Sequence, residues 1–198
     1  QGIERNLPIA ALWIVITTLL LLFLFTGSVL LPIKAVLLNF ASLSATIGFL
    51  TWVFMGGHLK WLFGEFTVTG TIDASTMVLI GVVAFGLSMD YELFLISRIK
   101  EQHDAGRGTT ESVAVGLQRS GRIITAAALV LALSFAGFIT SGVTIIKMMG
   151  VGIAFAILLD ATLIRAFLVP ALMRLFGDLN WWAPKWMRKL QQRAGLEH

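Results

Sequence analysis

A long run of uncharged residues sets the first constraint on this chain. Residues 6–33 contain no Asp, Glu, Lys, Arg or His, and most of them are Leu, Ile, Val, Ala or Phe. About 20 consecutive apolar residues are enough for one helix to cross the hydrocarbon core of a bilayer. Similar runs follow, and together they predict five transmembrane helices, at residues 7–25, 34–55, 75–96, 123–140 and 148–168.

The composition agrees with a membrane protein and excludes an ordinary soluble domain. Of the 198 residues, 57% are hydrophobic and 13% are charged, whereas soluble domains carry about 25% charged residues. The predicted fold class is therefore an all-α membrane protein, a bundle of five transmembrane helices with little mass outside the lipid. The net charge of +4 is modest, and nucleic acid is not an expected partner. Since Cys is absent and His58, His103 and His198 have no metal-ligand spacing, we expect neither a metal site nor a cofactor.

Basic residues are distributed unevenly between the two sides of this bundle. One side receives Lys34, five basic residues in the loop 98–122 and five more from Arg174 onward. The other side receives Arg5, Lys60 and Lys147. Because loops on the cytoplasmic side are enriched in Lys and Arg, the first side is predicted to be cytoplasmic.

Two domains follow from this topology. Residues 1–175 are predicted to form the transmembrane domain, and residues 176–198 an amphipathic cytoplasmic tail that contains several Trp and basic residues. The N-terminus of the chain then lies outside. No segment that would direct this N-terminus across the membrane precedes the first helix, so we expect the chain to be a fragment of a longer protein.

Two carboxylates lie inside predicted transmembrane helices. Asp90 is in the third helix and Asp160 is in the fifth, at similar depths when measured from the outer ends of these helices. A bare carboxylate at the centre of a bilayer costs at least about 2.5 kcal/mol. Each acid is therefore predicted to face the bundle interior, where binding and release of a proton would suit a proton carrier. The alternative is a structural role, in which the two acids only fix helix register.

Three neighbouring residues bear on this prediction. Arg165 either pairs with an interior acid or extends to the headgroups of the inner leaflet. Tyr91, the only tyrosine, can donate a hydrogen bond to a nearby carboxylate. Glu92 lies one position off the Asp90 face, and its part in the chemistry is left open.

Small and hydroxylated residues inside the helices have structural interpretations. Small residues at four-residue intervals in the fourth helix predict a close helix contact: Ala128, Ala132, Ala136 and Thr140. Hydroxyl groups inside helices usually bond to the backbone, which is the expectation for Ser88, Ser97 and Ser134.

Four segments, in order along the chain, carry a family resemblance. They are residues 86–101 (GLSMDYELFLISRIKE), 117–128 (LQRSGRIITAAA), 159–171 (LDATLIRAFLVPA) and 180–186 (NWWAPKW). Together they resemble the mycobacterial membrane protein large (MMPL) family of resistance-nodulation-division transporters. Members of that family have twelve transmembrane helices in two pseudo-repeated halves, with large extracytoplasmic domains. This chain is similar to the last five helices of the second half.

The resemblance implies a function and a set of partners. It implies export of lipids or other hydrophobic molecules across a bacterial inner membrane, driven by protons that pass through Asp-Tyr pairs. Asp90 and Tyr91 would be the pair of this half, and Asp160 and Arg165 its supporting charges. The protein would be a secondary active transporter and no enzyme. Its partners would be protons, membrane lipids, a hydrophobic substrate, and the N-terminal half and extracytoplasmic domains that this chain lacks.

Two other functions remain as alternatives. An intramembrane aspartyl protease could use Asp90 and Asp160 as a pair that activates water, although the Gly-x-Gly-Asp signature is absent at both acids. A scaffold that assembles other membrane proteins is the non-catalytic alternative. Proton uptake separates a transporter from a scaffold, and cleavage of a membrane-spanning peptide would identify a protease.

Overall fold

The computed structural model describes residues 2–68, 71–184 and 187 of the chain. Within these residues all regular structure is helical, so the predicted all-α class is confirmed. The α-helices are α1 (Gly2–Thr26), α2 (Leu30–Leu50), α3 (Lys60–Phe63), α4 (Ala74–Asp104), α5 (Thr109–Ala136), α6 (Thr144–Leu159) and α7 (Val169–Phe176). A π-helix, Thr51–Met55, extends α2, and a second one, Asp160–Leu168, joins α6 to α7 and is called the π-segment below.

Continuous apolar helices form the bundle. Four of them are long and apolar enough to cross a bilayer. They are Leu30–Met55, Ala74–Asp104, Thr109–Thr140 and Thr144–Trp181. α1 is a fifth candidate, whose described apolar part, Ala11–Thr26, is shorter.

The connection between α4 and α5 is much shorter than the sequence predicted. α4 continues to Asp104 and α5 begins at Thr109, so only residues 105–108 are non-helical where the loop 98–122 was expected. Salt bridges along the polar end of α4, Arg98–Glu101 at 2.9 Å and Lys100–Asp104 at 2.5 Å, favour helix there despite the loss of apolar character. Residues 109–122, predicted to belong to this loop, therefore form the first part of α5.

The other helices also differ from prediction at their ends. α1, α2 and α6 begin at Gly2, Leu30 and Thr144 instead of at residues 7, 34 and 148. The last crossing continues through the π-segment and α7 to Phe176. Polar residues at helix ends are compatible with helical backbone, and hydropathy alone does not mark these boundaries.

The connections meet at two opposite ends of the bundle. At one end, the backbone N–H of Val29 donates to the carbonyl of Trp182 at 3.2 Å, and Thr109 Oγ1 donates to the Asp178 carboxylate at 2.8 Å. At the other end, Lys147 Nζ donates to the carbonyl of Glu65 at 2.8 Å. The α1–α2 turn, the α4–α5 turn and the residues after α7, all predicted to share one side of the membrane, therefore lie together.

A segment after α7, residues 177–182 and called the C-terminal strap, closes the first of these ends. Asn180 is fully buried in it. Its Nδ2 donates to the carbonyls of Met173 and Gly177 at 2.6 and 2.5 Å, and its Oδ1 accepts from Lys34 Nζ. The rest of the predicted tail, from residue 185 onward apart from residue 187, lies outside the described residues.

The strap also contacts both neighbouring turns. Ser28 Oγ, in the α1–α2 turn, donates to the carbonyl of Asn180. The ring of His103, at the end of α4, stacks on Trp181 with 4.1 Å between centroids. The strap therefore connects the α1–α2 turn to the α4–α5 turn.

Small residues let the helices approach closely at two of the four positions predicted in α5, whereas Thr140, the last of the four, lies beyond α5 and is exposed. Ala128 and Ala132 are 2% and 4% exposed and belong to the apolar core. At Gly116, an added Cβ would lie 2.7 Å from Ile99 Cγ1 and 3.0 Å from Ile99 Cα, so α4 and α5 cross in contact there. Nothing larger than Gly fits at this crossing without separating the two helices.

We expect Ala132→Leu to lower the stability of the bundle. The added methyl groups enter a packed contact, and overpacking of this kind costs about 1 to 3 kcal/mol. Ala126→Leu is the matched control, because Ala126 lies on the same helix but is exposed. Thermal unfolding in detergent measures both variants, and equal melting temperatures would show that the Ala132 face is not a helix contact.

Candidate intramembrane site

A polar layer lies between two apolar clusters of the bundle. One cluster contains Leu50, Ile80 and Ile153, and the other contains Leu95, Ile99 and Met173. Between them along α4 and the last crossing lie four buried polar side chains: Ser88, Glu92, Asp160 and Arg165. Polar groups at this depth are costly unless they satisfy one another, so the layer marks a candidate site.

Arg165 is held by oxygen acceptors inside the protein. Its Nη2 donates to the Asp160 carboxylate and, at 2.6 Å, to the carbonyl of Ser88. The two ion-paired side chains are 3% and 8% exposed. Of the two predicted fates of Arg165, the structure therefore shows pairing with an interior acid and not extension to the headgroups.

Ser88 joins α4 to this ion pair. Its Oγ donates to Asp160 Oδ1 at 2.8 Å. The expectation that Ser88 bonds only to the helix backbone is wrong, because the facing carboxylate is a stronger acceptor than a carbonyl. Ser97 and Ser134 do bond to the backbone, at the carbonyls of Phe94 and Val130.

The π-segment explains how two residues of one helix form this pair. In an α-helix, Asp160 and Arg165 would lie about 140° apart around the axis, because each residue turns about 100°. The i→i+5 hydrogen bonds of a π-helix instead place residues five apart nearly above one another. Pro170 is the second residue after the π-segment. It has no backbone N–H to donate to the preceding turn, and its ring crowds that turn.

Tyr91 is half-buried beside the ion pair. The Arg165 guanidinium carbon lies 5.0 Å from the centroid of its ring, a cation–π distance. Among the described residues its hydroxyl has no hydrogen-bond partner, so the predicted donation to a carboxylate is not made in this structure. Tyr91 also lines a cavity of about 10 Å³ with Asn39, Ser42, Asp160 and Arg165.

Asp90 lies on the other side of α4. Ser88 and Glu92 face the interior. Asp90 is two residues from each of them, which is about 200° around the helix, and it is exposed. It lines an apolar groove of about 560 Å³ between α1, α2 and α4, together with Leu22, Phe40 and other residues. The prediction that Asp90 faces the interior of this bundle is wrong, because helical periodicity allows only one of these faces to meet Asp160.

Sequence reasoning did not assign Glu92 and Asn39 to the site. They are 3% and 2% exposed. A signal for Glu92 exists in the sequence: Ile80, Ala84, Ser88 and Leu95 lie at three- and four-residue spacings that include residue 92 and mark the buried face of α4. No comparable pattern singles out Asn39.

Comparison with known proteins decides the family. The MMPL family matches residues 1–194, which is nearly the whole chain. This chain belongs to the MMPL family. It is 46% identical over 197 residues to the trehalose monomycolate exporter MmpL3 of Mycobacterium tuberculosis, covering 99% of this chain and 21% of that protein.

Other MMPL relatives match in the same way. A membrane protein of Streptomyces coelicolor is 44% identical over 196 residues, covering 99% of this chain and 28% of the relative. The mycolic acid-containing lipids exporter MmpL11 of Mycolicibacterium smegmatis is 37% identical over 195 residues, covering 98% of this chain and 20% of the relative. The chain therefore spans between a fifth and just over a quarter of the length of these MMPL proteins.

The geometry does not favour the aspartyl protease. Two acids that share a proton and activate water must lie close together. Asp160 accepts a hydrogen bond from Ser88 on α4. Asp90 also lies on α4, but it is exposed on a different face of that helix. Two of the MMPL relatives described above are named as exporters, which agrees with a transport protein.

Proposed function

We propose that this chain is the C-terminal transmembrane part of an exporter of lipids or other hydrophobic molecules. Export is driven by the proton-motive force, and Asp90 and Tyr91 form half of a proton relay. Asp160 and Arg165 support it from the interior of this half. The names of the MmpL3 and MmpL11 relatives support the substrate class.

The observation that carries the proposal is the position of Asp90. It is an acid near mid-span, exposed on the surface of this bundle beside an apolar groove. Lipid is a poor environment for it, because a carboxylate at that depth costs at least about 2.5 kcal/mol. The remaining four fifths of an MmpL3-sized protein would supply a polar cover, and in this proposal the N-terminal half places its own relay pair against Asp90.

Protonation of Asp90 then changes the contact between the two halves. A proton from outside neutralises the carboxylate and removes its attraction for a tyrosine hydroxyl or a cation on the facing half. The halves are then free to adopt a second arrangement, so that the proton acts as a ligand that shifts a two-state equilibrium.

The direct test is the dependence of export on the proton gradient. Cells that produce the intact protein are labelled with radioactive acetate, and the transfer of labelled lipids out of the inner membrane is followed with and without a protonophore. We expect transfer above that of cells lacking the protein, and we expect the protonophore to abolish the excess. Excess transfer that survives the protonophore at unchanged ATP levels would contradict proton coupling.

The topology forms part of the proposal: a bacterial inner-membrane protein with the N-terminus of this chain outside and its C-terminus in the cytoplasm. The exposed residues Ala105, in the α4–α5 turn, and Ser75, at the opposite end of α4, allow a matched test in this Cys-free chain. In intact cells, a membrane-impermeant thiol reagent should label Ser75→Cys and leave Ala105→Cys unlabelled. The reverse pattern would invert the topology.

A further inference from the structure

Glu92 is a buried acid that the proposed relay and the ion pair leave unused. Its side chain is 3% exposed, and α4 places it one turn beyond Ser88 on the same face. The Arg165 guanidinium and the Asp160 carboxylate both act on it electrostatically. Among the described residues, no hydrogen bond or ion pair reaches the Glu92 carboxyl group.

The charges of this layer do not balance when both acids are ionised. In the described part of the chain, Asp160 and Glu92 face a single guanidinium, that of Arg165, which leaves one negative charge of the buried layer uncompensated. Among the described residues, α2 contributes Asn39 and Ser42 to the cavity beside Asp160 and α5 contributes Ala128, none of which carries a charge. Because an uncompensated buried charge is strongly unfavourable, one of the two carboxyl groups must bind a proton.

The hydrogen bonds decide which acid holds this proton. Asp160 accepts from Arg165 Nη2 and from Ser88 Oγ, two donors that stabilise its charged form. Glu92 has no such donor among the described residues. The lower-energy arrangement therefore has Asp160 ionised and Glu92 neutral.

Unpartnered donors beside the acids indicate that the layer also binds water. Arg165 Nε, Arg165 Nη1 and Asn39 Nδ2 are buried without a hydrogen-bond partner. Arg165 and Asn39 both line the cavity of about 10 Å³, which is room for about one water molecule. A water there can accept hydrogen bonds from two of these donors and donate one to the Asp160 carboxylate, which also lines the cavity.

We propose that Glu92 is a second proton-binding residue of this membrane domain, neutral in this conformation and coupled by charge to the Asp160–Arg165 pair. α4 then carries a carboxyl group on each of two faces, with Asp90 beside the groove and Glu92 in the interior. If Arg165 moves from Asp160 to Glu92, the proton passes from Glu92 to Asp160 and the total charge stays the same. This proposal goes beyond the proposed function and holds whatever substrate is transported.

Infrared difference spectroscopy of the intact protein in detergent at neutral pH tests the proposal. A protonated carboxylic acid has a carbonyl stretch separate from those of carboxylates. We expect Glu92→Gln to remove one such band, and Glu101→Gln, at an exposed glutamate of the same helix, to remove none. We also expect Asp160→Asn to remove the same band, because Glu92 then ionises to pair with Arg165.

The other outcomes contradict the proposal. An unchanged acid band in Glu92→Gln would show that Glu92 is ionised in the native protein. Gln mimics the neutral acid, so failure of Glu92→Gln to fold while Glu101→Gln folds would equally show that the charged form is required. The result is independent of the proposed function: wild-type export by an Asp90→Asn variant would overturn the relay and leave the Glu92 band in place.

Discussion

Asp90→Asn should reduce proton-driven export by the intact protein to the background of cells that lack it. Asn keeps the size and the hydrogen-bonding capacity of the side chain but cannot alternate between charged and neutral forms. Folding and insertion should survive, because Asp90 makes no ion pair with the described part of this chain and lies exposed on α4. Export of acetate-labelled lipids at matched expression, with and without a proton gradient, measures the effect.

The matched control is Asp104→Asn on the same helix. Asp104 is an exposed acid at the polar end of α4, where it pairs with Lys100. Loss of such a surface pair changes stability by about 0 to 1 kcal/mol, so export should stay at the wild-type level. Export by Asp90→Asn equal to that by Asp104→Asn would assign Asp90 a structural role only.

Arg165→Met should produce the largest loss of stability among the substitutions considered. It removes the one guanidinium that pairs with Asp160 among the described residues and leaves a buried carboxylate without that cation. Breaking one partner of a buried pair costs about 3 to 5 kcal/mol. The melting temperature of the intact protein in detergent should fall well below that of Arg119→Met, a control at an exposed arginine on α5.

The double variant Asp160→Leu with Arg165→Met completes this experiment. Removing both charges eliminates the desolvation penalty as well as the attraction, and such replacements are often neutral or even stabilising. The double variant should therefore be more stable than Arg165→Met alone. Additive losses from the two positions would mean that the pair is not coupled as the structure indicates.

Hydropathy predicted the long apolar helices, four of which are candidate membrane spans, because burial in lipid demands such helices whatever the tertiary contacts. It did not predict helix ends, because salt bridges such as Lys100–Asp104 sustain helix beyond the apolar run. Lys34 shows a related limit. Its position suggested only a cytoplasmic basic residue, whereas it is buried against Asn180, a residue 146 positions away.

The sequence predicted two residues of the candidate site, but it did not predict how they are arranged. Asp160 and Arg165 could be named because ionisable residues inside a membrane helix are expensive. Their pairing depends on the π-segment, and the sequence carries no reliable mark of that wide turn beyond Pro170. Asp90 was assigned to the interior because the cost of a carboxylate in lipid says only that it must avoid lipid, and does not say which face of α4 it lies on. The packing of Ser88 against Asp160 determines which face of α4 turns inward.

The C-terminal strap determines where this bundle can bend. It joins the α1–α2 turn to the α4–α5 turn. The helices are therefore held together at that end. α4 has 31 residues and is about 46 Å long at 1.5 Å per residue. A tilt of about 5° around the strap therefore moves its far end by about 4 Å, and displacements of that kind grow steadily with distance from the strap.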